Sequence, residues 1–147
     1  MRITEVTPAQ LDEIEAIERA CFSLPWRRAA LEKQMCADNC LFLSALDDNG
    51  TVLGYLGLMH VLGEGYISNI AVTPEHRRRG VADALLEALI ARTRDFLTFM
   101  TLEVREGNRP AIRLYAKHGF ERVGKRKNYY DRPKENALLM TLFFKKV

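Results

Sequence analysis

Arg77, Arg78 and Arg79 stand in a row, with Gly80 next and the small Ala82 two residues further on. Before them lies a short apolar run, Ile67 with Ile70, Ala71 and Val72, broken at Pro74; after them a leucine-rich pattern restarts at Gly80. This order reads as strand, charged turn, helix. The first turn of a helix leaves backbone N–H groups without partners and carries the positive end of the helix dipole, so an anion, most naturally a phosphate, belongs there. Gly80 lets the backbone approach that anion closely, and Ala82 does not obstruct it. Alone, the string would be an ordinary solvated basic turn. Its place between an apolar strand and an amphipathic helix makes it an anion site.

A carboxylate and a phenol follow. Thr98 to Arg105 reads as another strand, in which alternation puts Thr101, Glu103 and Arg105 on one face and Leu102 and Val104 on the other. Glu103, near the carboxyl end, is either a cross-strand ion partner or a catalytic group. Gly107 to Pro110 makes a turn, and Ala111 to His118 a short helix closed by Gly119. Tyr115 on that helix is either packing or a hydroxyl aimed at a cleft. Strand, helix, strand with a crossover of this length is a βαβ unit, so the two strands are expected parallel, with ligands bound beyond their carboxyl ends. That edge carries Arg77 to Gly80.

The rest of the chain must position these groups. Arg2 to Val6 alternates as a first strand. Thr7, Pro8 and Gln10 then form a helix start with a capping box, followed by Leu11, Ile14, Ile17 and Cys21 as a buried stripe. Asp12, Glu13, Glu15 and Glu18 are expected on the opposite, solvated face, whose acidity would also suit a basic partner. Phe22 to Trp26 is an apolar loop, read either as a core plug or as a peptide-holding loop. A second helix is expected over Arg28 to Ala37. Leu41 to Leu46 and Val52 to Val61 pair as a hairpin around Asn49-Gly50. Phe120 to Lys127 and Ala137 to Phe144 are two late strands, joined by an aromatic, polar link from Asn128 to Pro133.

Composition bounds the function. At 147 residues and 48% hydrophobic, the chain 1–147 is expected to be one domain with one good core. The net charge of +3 equals the count of the arginine cluster, so the remainder balances to zero. That argues against a direct nucleic-acid partner and for a local anion site. No signal peptide or apolar span of membrane length is visible, which gives a soluble, cytoplasmic reading with no membrane partner. Cys21, Cys36 and Cys40 are odd in number and lack a second ligand pair, and His60, His76 and His118 fall in different elements. No metal is expected.

YISNIAV, the turn with Arg77, Gly80 and Ala82, and the later Glu103, Asn108, Leu114-Tyr115 and Gly119-Phe120 resemble the GNAT acetyltransferases over essentially the whole chain. ERACFSLPW, LEVREGN and RKNYYDRPKENALLM resemble its RimI-type members, which acetylate the N-terminal alanine of a small-subunit ribosomal protein. The resemblance implies an α/β fold of mixed type: a single mixed sheet of about six to seven strands flanked by helices. Its parallel pair would be splayed open, with acetyl-coenzyme A wedged between the two strands.

Carried over by position, Ile70, Ala71 and Val72 would hold the acetyl and pantetheine end. The stretch Arg77, Arg78, Arg79, Gly80, Val81, Ala82 and Asp83 would wrap the pyrophosphate, and Asn108 would contact the coenzyme farther along. Glu103 matches the family's general base and Tyr115 its general acid. Phe22, Trp26, Tyr129, Tyr130 and Asp131 would flank the acceptor peptide. The implied partner is a protein N-terminus, that of a ribosomal protein, with the enzyme a monomer or weak oligomer. Gly107, where members often carry serine, and Pro110 depart from the pattern.

The chemistry favours that acceptor. An α-amino group titrates at about 7.7 to 8.0 and lysine at about 10.4, so neutralising lysine at pH 7 costs roughly 4.6 kcal/mol against about 1 kcal/mol for an N-terminus. A single water-linked carboxylate suits the easier amine. The competing readings are a GNAT acting on lysine side chains or a small amine, and a coenzyme sensor without turnover. The coexistence of Glu103 and Tyr115 argues against the sensor.

Overall fold

The computed structural model describes residues 1–144. Seven strands, β1 (Arg2–Glu5), β2 (Cys40–Leu46), β3 (Val52–Val61), β4 (Glu64–Val72), β5 (Phe99–Arg105), β6 (Glu121–Tyr130) and β7 (Glu135–Phe143), form one sheet in the order β1-β2-β3-β4-β5-β7-β6. Helices α1 (Leu11–Cys21) and α2 (Arg28–Cys36) pack on one face; α3 (Val81–Thr93) and α4 (Arg109–Lys117) cross over on the other. Every neighbouring pair of strands is antiparallel except β4 and β5, the two joined by α3.

That parallel pair is short. Its register runs from Glu64 opposite Phe99 to Tyr66 opposite Thr101 and stops, although β4 continues to Val72 and β5 to Arg105. From Tyr66 onward the two strands part, and a gap opens toward their carboxyl ends. Each remains held on its other side, β4 by β3 and β5 by β7. The gap therefore costs the sheet only the ladder that would have spanned it.

Two cores clamp the sheet. Leu85, Leu86 and Leu89 of α3, all fully buried, pack on Leu43, Leu56, Leu58, Ile67, Met100, Leu102 and Val104. Leu11, Ile14 and Ile17 of α1 and Leu31 of α2 pack on Phe42, Leu46, Tyr55 and Ala71. Each such aliphatic side chain contributes roughly 1.5–3 kcal/mol through burial.

One irregularity sets the faces of β4. Gly57 pairs with Asn69 but Leu58 pairs with Ile67, so Ser68 is an extra residue on β4, a bulge. Strict alternation would put residues 67, 69 and 71 on one face; instead Ile67 lies in the α3 core and Ala71 in the α1 core. Gly57 makes room for the bulge, since a Cβ there would stand 1.9 Å from Gln34 Nε2 and 2.3 Å from Asn69 Oδ1.

The expected elements are present, with some bounds shifted and one face reassigned. The first turn of the opening helix is a 3-10 turn, Pro8–Gln10, in which the Gln10 side chain accepts from the Thr7 amide at 3.1 Å. Helix α2 stops at Cys36, one residue short of the expected end, and α4 begins at Arg109 rather than Ala111. The strand expected to end at Lys127 runs to Tyr130, so Tyr129 and Tyr130 belong to β6 and only residues 131–134 form the link. The acidic side of α1 is solvated only in part: Asp12 is exposed, but Glu18 is 1% exposed, Glu13 accepts from the Val52 amide at 3.0 Å and Glu15 from the Arg28 amide at 2.9 Å. Backbone N–H groups of adjoining loops need acceptors when half-buried, and this row of carboxylates supplies them.

Candidate functional site

At the mouth of the gap, β4 ends, a 3-10 turn (Pro74–His76) follows, and the chain reaches α3 through Arg78 at φ 63 and Gly80 at φ 78. Both are left-handed conformations, and Gly80 serves as N-cap residue without a capping side chain. The amides at the start of α3 are thus left for an outside acceptor. A Cβ on Gly80 would meet nothing within 4 Å, so the space above that turn is open. Arg78 and Arg79 are exposed beside it.

Arg77 is engaged elsewhere: its Nε donates to the Val72 carbonyl at 3.3 Å and its Nη2 lies 3.3 Å from Cys21 Sγ. Asp83, whose charge would repel a phosphate, is tied to α4 by His118 Nε2 at 2.8 Å and Lys117 Nζ at 2.9 Å. The hydrogen bond from His118 and then that from Lys117 hold its carboxyl below the ordinary 3.8.

Strand β4 also offers a donor. Thr73 N–H bonds the Leu53 carbonyl of β3 at 2.9 Å. Successive N–H groups along a strand point to opposite edges, so that of Val72 points into the gap. Asn108 caps α4, its Oδ1 accepting from the Ala111 amide at 3.3 Å.

Glu103 lies on the gap edge of β5, on the face shared with α1 and α2, because Leu102 and Val104 take the α3 face. Its side chain is 9% exposed, and both oxygens have partners: Tyr66 O–H donates to Oε1 at 2.6 Å and Arg126 Nε lies 3.0 Å from Oε2. Burial first, and then the bond to Glu103, push the Tyr66 phenol well above its usual range, so it stays a donor. Tyr129 is raised by burial and then by the Glu103 charge, and Tyr130 is pushed up to about 12 for the same reasons. Their rings sit 5.1 Å apart, edge to face.

Arg105 lies 4.4 Å from the Tyr130 ring centroid and donates to the carbonyls of Asp131 at 3.1 Å and Pro133 at 2.8 Å, stapling the link beside the aromatic pair. Glu135 accepts from the Gly107 amide at 2.6 Å. A Cβ at Gly107 would stand 2.7 Å from that carboxylate oxygen, so a larger residue there would shift the Glu135 side chain.

Tyr115 lies in the α3 core, 6% exposed, with its ring 5.7 Å from Phe120. Burial and then nearby Tyr130 raise its phenol far above the usual value. Its ring therefore lies on the α3 side of the sheet, and Glu103 lies on the other side. Phe22 is 39% exposed, so the α1–α2 loop is no core plug there, while Trp26 is half-buried against the α1 core.

The structure brings Glu103, Tyr129 and Tyr130 together and sets the Arg78–Asp83 turn at the other end of β4. It adds three residues that the sequence reading missed: Tyr66, Arg126 and Glu135. Tyr66 carried a signal, since it opens the apolar strand and its ring belongs on the face of β4 opposite Ile67. Arg126 and Glu135 carried none, because their positions depend on the β6–β7 register. Among the described residues, no group of three or more His, Cys, Asp or Glu is arranged to hold a metal, and no helix is long and apolar enough to cross a membrane.

Comparison with known proteins gives concordant findings. The sequence model of the acetyltransferase (GNAT) family matches residues 11–120. The ribosomal protein bS18-alanine N-acetyltransferase of Escherichia coli K12 is 32% identical over 143 residues, covering 95% of each chain. That of Haemophilus ducreyi is 30% identical over 145 residues, covering 96% of this chain and 99% of the other. The crystal structure of the ribosomal-protein-S18-alanine N-acetyltransferase from Escherichia coli superposes with a TM-score of 0.91 at 29% identity, over 99% of this chain and 95% of that one.

Proposed function

The chain belongs to the acetyltransferase (GNAT) family, and from that premise we propose that residues 1–147 act as one cytoplasmic domain that acetylates the N-terminal α-amino group of a protein. The substrate we infer is the N-terminal alanine of a small-subunit ribosomal protein, and the donor acetyl-coenzyme A. The observation that carries this reading is Glu103, held at the gap by Tyr66 at 2.6 Å, with Tyr115 across the sheet from it.

The residues fit the donor. The amides from Val81 to Asp83 and the open space above Gly80 suit a pyrophosphate. The gap beside Ile70, Ala71 and Val72 suits an extended pantetheine arm, and Asn108 suits its continuation. When bound, acetyl-coenzyme A supplies an acetyl thioester: the C–N bond forms, the C–S bond breaks and the thiol leaves.

Glu103 takes one proton from the amine through water, and the Tyr66 hydroxyl keeps Oε1 oriented toward the gap. The Val72 N–H stabilises negative charge on the acetyl oxygen as the amine adds. Tyr115, kept protonated by burial, gives its proton to the departing sulfur and recovers one from solvent. Phe22 and Trp26 on one side, and Tyr129, Tyr130 and Asp131 on the other, border the entry for the acceptor peptide.

The test offers the purified protein acetyl-coenzyme A and two peptides, one with a free N-terminal alanine and one with a blocked N-terminus and several lysines, and locates the acetyl group by mass spectrometry. Label on the alanine amine alone is expected. Label on lysine, or on neither peptide, refutes the reading.

A further inference from the structure

A carboxylate outside the reaction cluster is the most completely buried acidic group of the described residues. Glu18, on α1, is 1% exposed. Its Oε1 accepts from the backbone N–H of Trp26 at 2.7 Å, and its Oε2 accepts from the Tyr55 hydroxyl. Tyr55 is fully buried in the centre of β3, and its phenol is driven far up by burial and then by the Glu18 charge, so it remains a donor. A charge is not carried into a core without cause, since desolvation costs several kcal/mol unless strong hydrogen bonds replace water.

The arrangement explains the cause. Residues 22–27 have no regular structure, and Phe22 and Leu24 within them are exposed. Such a loop would sample many conformations unless its backbone were tied. It is tied at both ends: the Phe22 N–H donates to the Glu18 carbonyl at 3.0 Å at its start, and the Glu18 carboxylate grips the Trp26 amide near its end. Glu15 extends the grip one element further, accepting from the Arg28 amide that opens α2. Tyr55 fixes the carboxylate from the sheet side.

We propose that Glu18, with Tyr55 behind it, is a positioning residue for the acceptor: it holds the Phe22–Trp26 loop in the peptide-receiving conformation without touching the reacting atoms. The inference rests on the reading of that loop as part of the acceptor entry. It goes beyond it in assigning the loop's order to one buried carboxylate rather than to Trp26 packing.

The test is steady-state kinetics with acetyl-coenzyme A and the free-alanine peptide, run on Glu18→Ala, Glu18→Gln and Tyr55→Phe beside Trp26→Ala. Losing a charge-assisted hydrogen bond of this kind corresponds to roughly ten- to a hundredfold. Glu18→Ala is therefore expected to raise KM for the peptide by that factor and to leave KM for acetyl-coenzyme A within about twofold.

Glutamine keeps an acceptor for the Trp26 amide, so Glu18→Gln should recover most of the loss. Tyr55→Phe keeps the carboxylate and should show a smaller rise. A uniform fall in kcat with both KM values unchanged, or equal rises in both, overturns the proposal. If Glu18→Ala does not fold, the same split read on Glu18→Gln and Tyr55→Phe decides it: a peptide-specific KM rise in either supports it, and none in both overturns it. Should Trp26→Ala leave the peptide KM unchanged, the loop is not the acceptor entry and the parent reading fails; should Trp26→Ala raise it while the Glu18 variants do not, only the positioning role fails.

Discussion

Two glycines form a matched pair that isolates the phosphate turn. Gly50 in the β2–β3 hairpin has φ 82 and Gly80 at the start of α3 has φ 78, and a Cβ on either would meet no atom within 4 Å. Alanine at each site therefore carries only the cost of the left-handed backbone, about 1–2 kcal/mol, with no clash added. For a chain of this size that lowers Tm by roughly 2–8 °C, and the fall should be alike for Gly50→Ala and Gly80→Ala.

Coenzyme separates them. A phosphate seated on the first turn of α3 occupies the open space into which the Gly80 methyl would project. Relaxing φ to avoid the strain would turn the Val81 and Ala82 amides away from it. Either route removes at least one charge-assisted bond, about 1.4 kcal/mol, so Gly80→Ala should weaken coenzyme A binding by about tenfold or more. Gly50→Ala should leave it within about twofold. Isothermal titration with coenzyme A, alongside thermal melts of both variants, reads the two effects separately. Unchanged affinity in Gly80→Ala would refute the assignment of that turn to the phosphate, and equal weakening in both variants would trace the effect to stability instead.

Other outcomes follow from the same geometry. Glu103→Gln should lower kcat by roughly 10²–10⁴ with coenzyme affinity retained; Tyr66→Phe, which removes only the 2.6 Å bond to Oε1, should cost about tenfold and alter the pH profile of kcat/KM. Tyr115→Phe should slow turnover while leaving coenzyme binding intact, and an unchanged kcat would remove its role as acid. Asp83 has a depressed folded-state pKa, so its bridge to His118 and Lys117 stabilises the protein above the ordinary 3.8 and is lost as pH falls through the lower folded value. The stability difference between wild type and Asp83→Asn should therefore be complete at neutral pH and close below pH 3.8, measured by urea unfolding across that range.

Much of this was legible in the sequence because the informative residues act locally. The Arg77–Gly80 turn, the Asn49-Gly50 hairpin and the Gly119 helix end each follow from backbone demands within a few residues. The phase of β5 followed from alternation alone and put Glu103 on the correct face. The rest depended on pairing between distant segments.

Nothing in YISNIAV announces Ser68 as an extra residue; the bulge exists because Gly57, eleven positions earlier, leaves space that Asn69 and Gln34 fill. Glu18 reads as solvated from its charge, although helical spacing puts it one turn after Ile14 and two after Leu11, on the buried stripe of α1. It is buried because the loop beyond α1 folds back over it and Tyr55 approaches from the sheet. Arg77 counted toward the anion site by spacing, but its side chain found the Val72 carbonyl, an acceptor that is available only because β4 has no neighbour there.

The same missing neighbour ties the site together. Along β5, alternation sends Leu102 and Val104 into the α3 core and Glu103 to the α1 face, while Tyr115 is drawn into the α3 core as part of an apolar stripe. In a continuous sheet these two groups would be insulated from each other by a layer of backbone. The register that ends at Tyr66 opposite Thr101 removes that layer just where Glu103 follows on β5 and the Val72 amide lies farther along β4. Under the proposed roles, Glu103 as base on one face, Tyr115 as acid on the other and the Val72 N–H at the rim would all bear on a single bond lying in the gap. In the proposed reaction the two proton transfers then use separate groups: the proton leaving the amine passes through water to Glu103, and the one reaching sulfur comes from Tyr115.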